Sequence, residues 1–171
     1  MAADARSQRI TEELAANAPD LLAYFERRVA RDDAADLLAE VMLTVWRRAD
    51  QLPGDPVRAR MWLFVTARNV LANAERSERR RWRLANRLRM MLPGSSGAPA
   101  ASDPGEGAEV RDAIAHLAPE LAELVRLVHW DGLTLAEAAE VMEIPASTAR
   151  GRYQRAKQEL REALAADYAS R

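Results

Sequence analysis

The 171-residue sequence contains no cysteine. That excludes disulfide staples, thiolate metal sites and a cysteine nucleophile, and it fits a reducing cytoplasm. Histidine is nearly as scarce. His116 and His129 lack cysteine or carboxylate company at ligand spacing, so no metal site is expected. Acidic residues are plentiful, yet none forms a pair that reads as a general acid/base dyad. No glycine-rich phosphate loop is present either. These gaps predict a chain with no catalytic residues and no cofactor. No apolar run approaches the roughly 20 residues that span a bilayer. Residues 1–6 have no apolar h-region, so neither membrane insertion nor a secretory signal is expected, and the expected location is cytoplasmic. Aromatic residues make up only 5% of the chain. Ala, Leu, Arg and Glu dominate instead. Their side chains are unbranched at Cβ and lose little rotamer freedom in a helix, which points to an all-α fold.

The formal net charge of −1 hides an uneven distribution. Arg68, Arg76, Arg79, Arg80, Arg81, Arg83, Arg87 and Arg89 are opposed over that stretch only by Glu75 and Glu78. A second basic cluster comprises Arg150, Arg152, Arg155, Lys157 and Arg161, opposed by Glu159. Each cluster alone fits a solvated helix face. Two of them on a near-neutral chain suit two docking places for a polyanion.

Residues 93–107 read PGSSGAPAASDPGEG and hold four of the seven glycines. Such a segment cannot bury enough surface to offset its ordering entropy, so a flexible linker is expected. It divides the chain into two small helical modules, 8–92 and 108–168, which should reorient freely when unbound. In the first module, Leu21, Leu22, Phe25 and Val29 mark a helix over 20–30. A second helix starts near Asp32 and Asp33 and carries Leu37, Leu38, Val41, Met42, Val45 and Trp46. QLPGDP at 51–56 is a turn cluster. A third helix is expected over 57–83, and its arginine-rich end outlasts its apolar stripe. Trp46 and Trp62 fall on apolar stripes and are expected in the core. Trp82 lies past the stripe, and Met90, Met91 and Leu92 are expected to end the helix against the module.

In the second module, residues 110–117 form a short helix, and Pro119 suits the first position of the next, which ends at Asp131-Gly132. Thr134 and Glu137 have capping-box spacing. That helix ends near Met142, and Glu143-Ile144-Pro145 makes a turn. A last helix begins near Ser147 and runs to about Ala166. Two helices joined this way follow the helix-turn-helix plan, in which the second enters the DNA major groove. Ala149, Tyr153, Ala156, Leu160 and Leu164 form its inward face. Thr148, Arg150, Gly151, Arg152, Gln154, Arg155 and Gln158 face outward, with donors suited to phosphates and purine edges. Gly151 is costly inside a helix and offers a smooth spot for close approach. A stand-alone operator-binding regulator and a helical protein adaptor also fit these patterns. Salt-dependent DNA binding separates these two readings from each other.

The stretch WDGLTLAEAAEVMEIPASTARGRYQRAKQELREAL resembles the −35-binding region of the extracytoplasmic-function (ECF) group of bacterial RNA polymerase sigma factors. DLLAEVMLTVW followed by MWLFVTARNVLANAERSERRR resembles that family's N-terminal region, which binds core polymerase and the −10 element. The resemblance implies a sigma factor that binds core polymerase, recognises both promoter elements and promotes DNA opening. Asp36, Leu37, Glu40 and Val41 would face the clamp helices of the largest polymerase subunit. Arg68, Asn69 and Asn73, with Arg76 and Arg80 of the basic extension, would lie along the −10 DNA. The loop from Gln51 to Arg58 would take a flipped −10 base, whose extrusion a pocket must offset by stacking and hydrogen bonds. Thr148, Arg150, Gly151, Arg152, Gln154 and Arg155 would read the −35 element. The implied partners are core polymerase, promoter DNA and, as the family often has one, an anti-sigma protein. Five positions depart from the family pattern: Ala35 for a common Glu, Ala39 for Gln, Glu143 for a turn Gly, Ser147 for Gly and Ala149 for Val. Glu143 predicts a strained left-handed backbone in the turn.

Overall fold

The computed structural model describes residues 2–89 and 108–169. Among them are seven helices and no strand. The first three, α1 (Ala2–Glu26), α2 (Arg31–Arg47) and α3 (Pro56–Arg89), pack as one group. The last four are α4 (Ala108–His116), α5 (Pro119–His129), α6 (Leu135–Val141) and α7 (Ala146–Ala169). No helix among the described residues is long and apolar enough to cross a membrane.

Each helix follows from its sequence. In α1, Ile10, Leu14, Leu21, Tyr24 and Phe25 are buried at helical spacing. The helix starts far ahead of the expected residue 20. Its early turns are held by Ile10 and Leu14, and polar Asn17, whose amide donates to the Glu13 carbonyl at 2.8 Å, hides the continuity of the stripe. Asp32 and Asp33 in the first turn of α2 and Arg47 in its last complement the helix dipole. Asp55 caps α3, its Oδ1 accepting the Arg58 N–H at 2.9 Å, and Pro56 follows at the first helical position. The α3 core face ends near Leu71, whereas the helix continues to Arg89 with Glu78, Arg79, Arg80, Arg81, Arg83 and Leu84 exposed. The expected overhang is therefore present, six residues longer than the 57–83 reading.

The two groups of helices are docked. Leu124, Leu127, Leu133, Val141 and Met142 join the same buried cluster as Tyr24, Phe25 and Phe64, and α6 lies against α3. A charged network reinforces this apolar seam. Arg28 donates from Nε to Glu123 Oε2 at 3.0 Å and from Nη2 to Asp131 Oδ2 at 2.8 Å. Arg27 Nη2 reaches Asp131 Oδ1 at 2.5 Å, and Arg60 Nη2 donates to the Asp131 carbonyl at 3.3 Å. The Arg28 guanidinium also lies 3.7 Å over the Tyr24 ring. Burial alone would lower the Arg28 pKa, but Glu123, Tyr24 and Asp131 outweigh it and hold it above its ordinary value. Freely reorienting modules are thus not what the structure contains. The linker composition speaks only of the linker, and the docking face is written in α5, which is buried on two sides. Leu121 and Val125 serve the core of its own module; Leu124 and Leu127 serve the other group. The 93–107 linker, Met90 to Leu92 and the Trp82 side chain lie outside the described residues.

Candidate nucleic-acid interface

The second helix pair is built by local rules. Thr134 Oγ1 accepts the Glu137 N–H at 3.2 Å, and Glu137 Oε2 accepts the Thr134 N–H at 2.7 Å, so the capping box closes in both directions. Gly132, at φ 69°, takes the left-handed conformation that ends the α5 turn. The turn between α6 and α7 forces the same region on Glu143, at φ 55°, as the missing glycine predicts. The Ile144 N–H then returns to the Ala139 carbonyl at 3.0 Å. α7 begins at Ala146, one residue before the expected start, and Ala149 donates its N–H to the Pro145 carbonyl at 3.0 Å. Ala149 is fully buried, in the same core cluster as Ala138, Ala139 and Val141 of α6.

That anchoring turns a polar face outward. Thr148, Arg150, Gly151, Gln154 and Arg155 are exposed and Arg152 is half-buried. Nothing lies within 4 Å of where a Gly151 Cβ would stand, so packing inside the chain does not require this glycine. Arg155 is engaged by Glu159 at 2.7 Å on the surface. Tyr153 is only half-buried. Its ring stacks on His129 at 5.9 Å, and its hydroxyl and His129 Nε2 are 2.8 Å apart, which ties α7 to α5.

On α3, the exposed residues Asn69, Asn73, Arg76 and Arg80 lie on one face, at spacings of four, three and four. Arg76 Nη2 donates to Asn73 Oδ1, so these two side chains are pre-arranged. Arg68 is half-buried beside them, near enough to Tyr24 to oppose the upward shift of its phenol. Gln51 is exposed within the α2–α3 loop, and Arg58 is exposed in the first turn of α3. The loop thus stands at the N-terminal end of α3 and the basic extension at its C-terminal end, with Asn69 and Asn73 between them.

The α2 assignments divide. Asp36 and Glu40 are exposed and stand one turn apart. Leu37 and Val41 are buried, so they hold the helix to the core and offer no surface to a partner. Trp46, expected inside, is 44% exposed, and Leu43 is 55% exposed. On the outer side of α2, Leu43 lies one turn beyond Glu40, and Trp46 lies one turn beyond Leu43. Sequence reasoning missed them because Met42, Val45 and Trp46 all fit a broad apolar stripe. The signal was that α2 has more apolar residues than one face can hold. Trp62 is half-buried and packs against the core.

Residues 14–81 match the family described as Sigma-70 region 2, and residues 107–160 match Sigma-70, region 4. The ECF RNA polymerase sigma factor SigL of Mycobacterium tuberculosis is 30% identical over 135 residues, covering 75% of this chain and 72% of SigL. Two solved structures share the fold. The sigma factor RpoE of Bartonella quintana, in complex with the anti-sigma factor NepR, has a TM-score of 0.65 at 21% identity, over 94% of this chain and 97% of that one. CnrH, in complex with the cytosolic domain of CnrY, has a TM-score of 0.64 at 24% identity, over 97% and 96%. With both sigma regions matched in order on either side of a linker, and a relative of this identity and coverage, the chain belongs to the ECF RNA polymerase sigma factors.

Proposed function

We propose that this protein binds core RNA polymerase through α2, reads the −35 element with α7 and the −10 element with α3 and the 51–58 loop, and promotes DNA opening. The observation that carries the reading is the exposed donor face of α7. It is held in helix-turn-helix geometry by a complete capping box and a buried Ala149. Two features support the rest. The α3 extension presents Asn69, Asn73, Arg76 and Arg80 on one face, and α2 presents Asp36 and Glu40 beside exposed Leu43 and Trp46. An exposed acidic pair beside apolar surface suits a protein partner better than DNA, whose phosphates it would repel. Modules of 8–92 and 108–168 would then serve polymerase with −10 DNA and −35 DNA respectively. An anti-sigma protein is the class of regulator this family membership brings with it.

Run-off transcription with purified core enzyme over a promoter library tests the whole reading. Specific initiation that depends on the added protein is the expected result, and core activity indifferent to it would refute the proposal. Reversing both α2 charges (Asp36→Arg with Glu40→Arg) should abolish co-purification with core while helicity is kept.

A further inference from the structure

The loop between α2 and α3 is tied at its ends by its own neighbours. Gln51 donates its N–H to the Arg48 carbonyl at 2.8 Å, and Asp55 caps α3. Leu52 is buried beneath the loop. The middle is gripped from a distant part of the chain. Arg9, on α1, donates from Nη2 to the Leu52 carbonyl at 3.2 Å. The same guanidinium lies beside Gly54, where a Cβ would stand 3.3 Å from Arg9 Nη1. A side chain at 54 would therefore press on the arginine. Arg9 is held in turn by its place on α1, since its neighbour Ile10 and Leu14 beyond it are buried. Arg9 also lies ahead of residues 14–81, the stretch that matches region 2.

We propose that Arg9 is a positioning residue for the 51–58 loop, and that by fixing the Leu52–Gly54 backbone it sets which −10 base the loop accepts. The inference rests on the reading of this loop as the −10 base pocket. Arg9 acts through a backbone carbonyl and touches no DNA. A charge-assisted bond from a half-buried arginine is stronger than a neutral one, and selectivity in a pocket depends on how tightly its supporting shell is held.

The test uses the full chain with core polymerase and two promoter libraries, one randomised at −10 and one at −35. Arg9→Met keeps the apolar stem and removes the donors. It should reduce −10 discrimination by about tenfold, the scale of one such hydrogen bond, and leave the −35 ranking as in the wild type. Arg9→Lys, which returns one donor, should restore part of the −10 ranking. Gln51→Ala and Arg58→Ala test the loop itself. If these change the −10 ranking and Arg9→Met does not, the role of Arg9 is refuted and the loop reading stands. If neither loop variant alters the ranking, the loop reading fails and this proposal with it. Amide exchange on the free protein gives an independent measure. Arg9→Met should speed exchange about tenfold at the bonded N–H groups of Gln51 and Arg58, with α3 amides beyond its first turn unchanged. Unchanged loop amides, or faster exchange throughout α1 and α3, would overturn the positioning role.

Discussion

Arg28→Met removes the centre of the charged network while keeping the length of the side chain. The arginine side chain is 4% exposed, and Asp131, its partner across the seam, is 0% exposed. The change deletes the bonds to both Glu123 oxygens, to Asp131 and to the Tyr24 carbonyl. Removing one member of a buried pair costs about 3–5 kcal/mol, because the other charge is left without compensation. Here Asp131 keeps Arg27, which is partly exposed, so the lower end, about 3 kcal/mol, is expected. That corresponds to roughly a hundredfold in an equilibrium constant. Arg28 lies beyond the last turn of α1, and two of its three bonded partners lie in the other group of helices. The loss should therefore fall on docking rather than on the folding of either group. Energy transfer between dyes on cysteines introduced at exposed Asp32 and Glu162 would report docking, and the chain has no cysteine of its own to interfere. In a guanidinium titration, Arg28→Met should lose energy transfer at lower denaturant, while the far-ultraviolet helix signal shifts much less. A Glu123→Gln cycle should give a coupling energy above about 1 kcal/mol. Coincident transitions unchanged from the wild type would show that the apolar seam alone holds the groups together.

Glu143→Gly should relieve the left-handed strain at φ 55° and raise stability by about 0.5–1 kcal/mol, after the entropy glycine adds to the unfolded chain; a lowered denaturation midpoint would contradict the strain argument. Burial first, and then the Glu123 carboxylate, push the Tyr24 phenol above its ordinary value of 10.0, so the folded state keeps a proton that the unfolded state releases. Stability should then fall by about 1.4 kcal/mol per pH unit above pH 10 through this group, and Tyr24→Phe should make the alkaline slope shallower by that amount. Arg150→Ala should change which −35 sequences support transcription. Arg155→Ala, whose guanidinium is already shared with Glu159, should weaken all of them alike with a shallower salt dependence; a uniform loss with Arg150→Ala would remove its base-reading role.

Much of the site was readable before any coordinates. The capping box, the left-handed Glu143 and the α3 overhang are local features, set by residues a few positions apart, and local rules suffice for them. The outward face of α7 follows from helical period once Ala149 is placed inward. What escaped was tertiary. Leu37 and Val41 were assigned outward by resemblance, yet the packing of α1 against α2 buries them. Trp46 was assigned inward by residue type, and its stripe was wider than the core beneath it. Arg27 and Arg28 gave no sign of their role, because their partners Glu123 and Asp131 lie about a hundred residues away.

The docked arrangement has a consequence for reach. Elements centred near −35 and −10 are about 25 base pairs apart, or about 85 Å along the duplex. A compact body of this size has a radius of gyration of about 15 Å, and the longest helix, α3, spans about 50 Å. On the proposed reading, the closed molecule cannot touch both elements at once. The fifteen residues of 93–107 can extend to about 50 Å, which makes up the difference once the groups part. Promoter engagement and the seam around Arg28 are then mutually exclusive. Polymerase and DNA together must bind the open form more tightly than the closed one, by about 5.5 kcal/mol if they are to turn a 1:99 population into its inverse. Whatever stabilises the closed form lowers promoter affinity by the same factor, without touching a single DNA-contacting side chain.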